Sequence, residues 1–378
     1  MIFPDAMLGM LGGGQLGRMF TLAAHIMGYR VTVLDPDPLS PAGAVADVHL
    51  KAAYQDIEAL QHLADSCAAV TTEFENVPAE SLRWLAKHCT VRPAGDAVAI
   101  AQDRIREKAF FRACGLGVAP YAVIENENDI SKAPANLFPG ILKRARFGYD
   151  GKGQTTVANT GQAYAAFHKM GADSCVLEQR LILEREVSVI VARGEGGEGR
   201  SFPLAENRHR KGILDVSIVP ARVTHELAAR AEAGALRIAE QLNYVGVLAV
   251  EFFVTTAGEL LVNEMAPRPH NSGHYTIDAC ATSQFEQQVR TLCGLPLSDT
   301  RLLSPVVMVN LLGEAWAHGE PAWQQVFNLP EAKLHLYGKH EARFGRKMGH
   351  YTVLGASAEA ALAEALKVRA ALYPDWTD

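Results

Sequence analysis

Between residues 6 and 104, short apolar runs alternate with amphipathic helical stretches, and few folds accept that pattern. The run at 6–11 reads as a strand, 15–27 as a helix and 29–34 as a second strand. A helix at 54–67, a buried strand at 68–72 and a proline-opened helix at 78–89 follow. Strands separated by helical crossovers pair in parallel with right-handed connections. Gly12, Gly14 and Gly17 mark the first strand-to-helix turn with G-x-G-x-x-G spacing, and Asp35 ends the second strand, where a ribose-binding acid belongs in a dinucleotide site. The spacing alone does not choose a ligand, because any turn bringing backbone N–H groups near an anion selects glycine. A dinucleotide, another ligand and a merely tight turn all remain open.

Beyond this region the texture changes. A helical segment at 96–114 leads into short strands, glycine turns and one helix (161–171) up to residue 195, consistent with a small α+β lid. Residues 196–222 read as a polar, irregular stretch on strands and loops, followed by a long helix at 224–242. A helix at 283–293, strands at 306–312, 334–337 and 350–354, and a helix at 357–372 complete the chain. At 378 residues there is room for two or three cores. The net charge of −6 argues against broad nucleic-acid binding and leaves room for a local basic pocket. No apolar run reaches membrane-spanning length, and no signal-like leader opens the chain. The six cysteines are scattered singly, which points to reduced, buried thiols in a cytoplasmic protein.

The segments 246–254 and 259–265 read as a hairpin. With a turn centred on Ala257 and Gly258, Glu251 falls opposite Glu264, with Asn263 beside it. Like charges across a strand pair are destabilising, and burial raises their pKa values unless a cation intervenes. A hard cation such as Mg²⁺ takes one or two carboxylates plus nucleotide phosphates. The alternative is two solvated glutamates on an exposed face.

Further signals lie on either side. The strand ending at Lys143 runs into a loop with Gly148, Gly151 and Gly153, where backbone and lysine suit a polyphosphate; a hairpin turn with surface lysines would look similar. The run 175–181 is an apolar strand that turns polar and then apolar again, as an adenine-holding segment would and as an edge strand also would, and Glu186 suits a ribose hydroxyl. Arg268, His270, Asn271 and His274 follow Glu264 on a proline-stiffened loop suited to an anionic co-substrate. Zinc at His270 and His274 would need a helix, which Pro269 and Gly273 argue against. Lys339, Arg343, Arg346 and Lys347 form a basic cluster suited to a phosphate monoester, or a solvated charge run.

In this order, these elements resemble the ATP-grasp superfamily across nearly the whole chain, and within it the carboxyaminoimidazole ribonucleotide synthases. The carrying stretches are 12–19, 72–77, 148–154, 263–274 and 345–350; Phe147 stands where that pattern has a smaller residue. The resemblance implies a mixed α/β and α+β ATP-grasp fold. It has a Rossmann-like pre-ATP-grasp parallel-sheet domain (1–104), a lid subdomain with its linking helix (105–195), a core with a metal site (196–300) and a C-terminal mixed-sheet subdomain (301–378).

It also implies site residues. Arg104, Lys143 and the loop Gly148, Tyr149, Asp150, Gly151, Lys152, Gly153 and Gln154 would hold ATP phosphates. Glu178, Gln179, Arg180 and Leu181 would frame adenine, Glu186 the ribose, with His209 close to the nucleotide. Glu251 and Glu264 would bind Mg²⁺, with Asn263 at the nucleotide. Gln15, Leu16, Glu73, Asn271, Lys339, Arg346 and Lys347 would hold the ribonucleotide, while Tyr149, Arg268 and His270 would hold bicarbonate and carboxyphosphate. The implied reaction is ATP-dependent carboxylation of aminoimidazole ribonucleotide in purine biosynthesis, by a homodimer without nucleic-acid or membrane partners. Rival readings are a formate-using glycinamide ribonucleotide ligase, an NAD(P)-dependent oxidoreductase, and a catalytically silent nucleotide-binding regulator.

Overall fold

The computed structural model describes residues 1–146, 148 and 153–376. Its first sheet has five parallel strands in the order Val48–Leu50, Arg30–Leu34, Met7–Leu11, Ala69–Thr72, Thr90–Val91. The chain leaves the central strand Met7–Leu11 toward one neighbour and later returns to its other side at Ala69–Thr72. Ligands bind outside the carboxyl ends of strands at such a switch point. Here those ends carry Gly12 and Glu73.

The expected helix at 96–114 is two helices, Gly95–Ala101 and Arg104–Ala113. Asp103 makes the break: its carboxylate accepts from the N–H groups of Ile105 and Arg106, so a cap starts a new helix. That start puts Arg104 at the head of the second helix, beside the hairpin. The following four-stranded antiparallel sheet runs Tyr121–Ile124, Cys175–Gln179, Gly140–Arg144, Gln154–Val157. It carries the expected helix at Thr160–Lys169 and a second, Glu127–Lys132, closed by an Asn126–Asp129 capping box.

The third sheet is antiparallel throughout, in the order Leu260–Ala266, Gly246–Thr255, Leu183–Arg193, Ala205–Arg210, Ile213–Val219, Val306–Leu312, Lys347–Leu354, Ala332–Leu336. The stretch at 196–222, expected on strands and loops, supplies the strands Gly199–Ser201, Ala205–Arg210 and Ile213–Val219. One expectation changes here. The C-terminal strands extend this sheet through Ile213–Val219 and Val306–Leu312, and their pairings are antiparallel rather than mixed. Thr224 caps helix His225–Gln241, whose Ala231, Ala235 and Ile238 pack on Val189, Leu248, Val250 and Phe252. Each large apolar side chain so buried contributes about 1.5–3 kcal/mol.

Helix Gln284–Leu292 joins the first sheet to the third. Phe285, Val289 and Leu292 enter the first domain's core, and the Gln288 amide donates to Thr71 Oγ1 at 3.2 Å. The cleft between these two bodies is therefore braced from beneath.

Candidate active site

Glycine at the first loop answers a carboxylate of the chain itself. The N–H groups of Gly14 and Gly17 donate to Glu73 at 2.8 and 3.2 Å, so this side chain caps helix Gln15–Ile26 from a neighbouring strand. A Cβ on Gly14 would lie 2.8 Å from Glu73 Oε1, and one on Gly13 would lie 2.5 Å from Ser40 Cβ. Asp35 accepts from Gly13 N at 2.6 Å, from the Tyr54 hydroxyl at 2.6 Å and from Asp37 N at 2.8 Å. Glu73 thus fills the anion position that a dinucleotide pyrophosphate would need, and Asp35 is spent internally. The dinucleotide reading fails on these two contacts. Glu73→Gln should cost about 1–3 kcal/mol, since an amide nitrogen would face one of the two N–H groups, and a urea unfolding curve would register it.

The hairpin places Glu251 opposite Glu264, by a route the turn alone did not predict. Thr255 N donates to the Glu259 carbonyl, which centres the turn one half-step earlier than expected. A bulge at Asn263 then shifts the register, since Phe252 pairs with Val262, and restores the facing glutamates. Each carboxylate has a basic partner. Arg104 Nη1 lies 2.9 Å from Glu264, and His270 Nε2 lies 3.1 Å from Glu251. The enclosing walls push the Glu264 carboxyl up, but Arg104, then Lys143 and His270, outweigh them and hold it down at about 2. Asn263 Oδ1, next to Glu264 in the chain, is buried without a hydrogen-bond partner. Two facing carboxylates and an orphaned amide oxygen fit a hard divalent cation that completes its shell with water and phosphate oxygens. Among the described residues no cluster of three His, Cys, Asp or Glu side chains has the arrangement of a metal cage.

A cleft of about 1080 Å³ collects residues from three parts of the chain. Gln15, Leu16 and Glu73 line it from the first sheet; Arg104, Gly148, Glu264, Arg268, His270 and Asn271 from the middle; Lys339, Arg346 and Lys347 from the C-terminal loop. Arg268 is paired with Glu75 at 2.8 Å. Asn271 and Asn310 exchange two amide hydrogen bonds, at 2.9 and 2.7 Å, which anchors the loop to the central sheet.

The remaining sequence-predicted residues stand behind this wall. Lys143 is buried against Glu178 at 2.9 Å. The backbone N–H groups of Gln179 and Arg180 are taken by the Pro120 and Pro139 carbonyls, and Leu181 follows them at the end of that strand. Gly153 has φ +73°, and Gln154 pairs with Lys143 across the sheet. Glu186 meets His209 at 3.2 Å; burial pulls that imidazole down, but Glu186 and Glu251 raise it above its ordinary value. Tyr149, Asp150, Gly151, Lys152 and Phe147 lie outside the described residues.

Sequence reasoning missed Lys108, Glu107, Glu75 and Lys211. The first two had a signal: on helix Arg104–Ala113 the buried positions are Glu107, Lys108 and Phe111, so charges occupy an inward stripe. Glu107 accepts from Met265 N at 2.7 Å, next to Glu264. Glu75 and Lys211 sit on a strand exit and a hairpin tip, where residue type alone carries no signal.

A parallel-sheet domain, a small four-stranded antiparallel sheet and a two-carboxylate hairpin whose Glu264 lines the cleft define the ATP-grasp class, and the family comparisons agree. Residues 109–285 match the ATP-grasp domain, 6–102 the ribonucleotide synthetase preATP-grasp domain and 306–364 the phosphoribosylaminoimidazole carboxylase C-terminal domain. The N5-carboxyaminoimidazole ribonucleotide synthase of Bacillus subtilis is 47% identical over 354 residues, 93% of this chain and 92% of that one. A synthetase of this name solved as its ADP complex superposes with a TM-score of 0.92 at 47% identity, covering 97% of both chains. The Aspergillus clavatus synthase, solved with ADP and 5-aminoimidazole ribonucleotide, gives a TM-score of 0.89 at 29% identity, over 97% of this chain and 98% of that one. The chain belongs to the N5-carboxyaminoimidazole ribonucleotide synthase family.

Proposed function

We propose that the chain is an ATP-dependent carbon–nitrogen ligase that carboxylates the exocyclic amine of 5-aminoimidazole ribonucleotide with bicarbonate. Its products are 5-(carboxyamino)imidazole ribonucleotide, ADP and phosphate. The observation that carries this reading is one cleft bordered by Glu264 of the facing pair and by the basic substrate loops, in a chain alike over 93% of its length with a member of that family. The ligands of the Aspergillus clavatus structure support the choice of acceptor.

In this mechanism a bicarbonate oxygen attacks the γ-phosphate of ATP, and the γ-phosphate–ADP bond breaks to give carboxyphosphate and ADP. The ribonucleotide amine then takes the carboxyl group, from carboxyphosphate or from CO₂ released by it, and loses a proton as phosphate departs. Arg104, Lys143 and the 148–154 loop hold the ATP phosphates, while residues 178–181, Glu186 and His209 hold the nucleoside. Glu251 and Glu264, with Asn263 beside them, hold Mg²⁺, which when bound neutralises charge on the phosphates. Arg268, His270 and Tyr149 orient bicarbonate. Lys339, Arg346 and Lys347 bind the ribonucleotide phosphate, with Gln15, Leu16, Glu73 and Asn271 around the rest. No covalent nucleophile is involved; positioning and electrostatics supply the rate. Domain limits at residues 104, 195 and 300, a homodimer and a cytoplasmic setting belong to the same reading, the dimer being checked by light scattering.

The test is a coupled ADP-release assay with bicarbonate and aminoimidazole ribonucleotide each omitted in turn. ADP release should require both. Release supported by formate and glycinamide ribonucleotide would replace this reading with the transformylase, and ATP binding without turnover on any acceptor would favour a silent regulator.

A further inference from the structure

Helix Arg104–Ala113 carries a second cation into the interior, one that neither the sequence reading nor the mechanism uses. Lys108 is 1% exposed, and its ammonium ends 3.0 Å from Glu178 Oε1. Lys143 reaches the other oxygen of the same carboxylate at 2.9 Å. Two lysines therefore share one buried acid. The nearby Glu107 is turned to the Met265 N–H, and Arg104 is engaged by Glu264.

The two lysines differ in what they can reach. Neither lysine lines the cleft wall, but Lys108, whose side chain is 1% exposed, lies 5.7 Å from the Tyr121 ring centroid, whereas the Lys143 side chain keeps 9% exposure. Lys143 is the penultimate residue of strand Gly140–Arg144, which leads toward the glycine loop. If Lys143 were the sole partner of Glu178, drawing it toward a phosphate would strand a buried carboxylate, which is strongly unfavourable. With Lys108 in place, Glu178 keeps a partner when Lys143 leaves. The surplus cation also biases the pair toward an incoming anion: burial pulls the Lys143 ammonium down, Glu178 works against that, and Arg104 and Lys108 add to the pull.

We propose that Lys108 is the resident counter-ion of Glu178, a positioning residue that releases Lys143 to the nucleotide polyphosphate. The inference rests on the assignment of Lys143 to ATP phosphates. It is tested by calorimetric ATP binding and steady-state kinetics on the full chain carrying Lys108→Met, Lys108→Arg or Lys108→Met with Glu178→Gln. Lys108→Met should raise Kd and KM for ATP about tenfold while kcat stays within about threefold, because ground-state placement is lost rather than transition-state contact. Lys108→Arg should behave as wild type. The double variant should bind ATP at least about threefold more tightly than Lys108→Met, since Lys143 then has no charged partner to abandon, while staying weaker than wild type because Glu178 also borders the nucleoside.

Wild-type affinity in Lys108→Met overturns the proposal, as does a double variant that binds no better than the single one. Should the single variant fail to fold, the double and arginine variants decide by the same criteria. If none folds, Lys108 is a structural cation and the proposal is wrong. Wild-type protein that binds no ATP would instead sink the functional reading, so it is measured first.

Discussion

Glu264→Gln should lower turnover about a thousandfold or more while leaving the protein folded. A divalent cation contributes several kcal/mol to phosphoryl-transfer transition states, and about 1.4 kcal/mol corresponds to each decade of rate. Glutamine keeps an oxygen to accept from Arg104, now 2.9 Å from the carboxylate, and removes the like-charge contact with Glu251. Losing the charge that Arg104 holds at about 2 costs some stability, but the retained hydrogen bond keeps the protein folded, and the catalytic change is the larger. Because the native carboxyl is held at about 2, it is ionised throughout the neutral range, and the wild-type pH profile of turnover should show no limb from this group above about pH 4. The measurements are ADP release at saturating magnesium and a thermal melt of the same sample. Unchanged turnover in the folded variant would remove the metal assignment.

How much was readable in advance depended on how local each signal was. The parallel domain was legible because period and turn chemistry coincide there, strand by strand. Glu251 and Glu264 were legible as a pair because the register of a short hairpin follows from its turn, yet the route was different: the turn sits half a residue earlier and the bulge at Asn263 makes up the difference. Asp103 was readable in principle, since Asp before a helical run is a start signal, but unbroken apolar spacing on both sides masked it. What the sequence could not disclose is pairing over long separations. That Glu73 caps a glycine loop 59 residues away, or that Asn271 locks onto Asn310, depends on the fold being assembled. The same holds for the C-terminal strands, whose neighbour, Ile213–Val219, lies far back in the chain. Conversely, the G-x-G-x-x-G spacing over-promised, because an internal carboxylate and a bound pyrophosphate make the same demand on glycine.

Acid should destabilise this protein from well above the carboxylate range. Beneath the substrate loop, His274 and His350 are fully buried, with ring centroids 4.8 Å apart, and His335 stacks on His350 at 4.5 Å. Burial pushes both His274 and His350 well below the ordinary imidazole value, and the surrounding basic side chains His270, Lys347, His335 and Arg268 add to the effect on His274. For His350 the neighbours His274 and His335 act the same way, while Asp278 opposes them. Both rings are thus neutral in the fold but take up protons near pH 6.5 once unfolded. The stability they contribute is complete above that value and lost as pH falls below it, by about 1.4 kcal/mol per histidine per pH unit. Two such groups cost about 4 kcal/mol by pH 5, a large part of the 5–15 kcal/mol typical of a folded domain. Asp278 acts later. Despite its burial, the His335 contact at 2.8 Å and the Thr352 hydroxyl hold its carboxyl below the usual range, so its share is lost only below about pH 4. Urea unfolding at pH 7, 6, 5.5 and 5 should give the two-proton slope, and His350→Gln should halve it, with the amide still able to meet the Tyr337 hydroxyl that now lies 2.8 Å from His350. Equal stability at pH 7 and pH 5 would contradict the burial of neutral imidazoles. Because His274 ends the loop that carries Arg268, His270 and Asn271, activity should fall over the same window as stability.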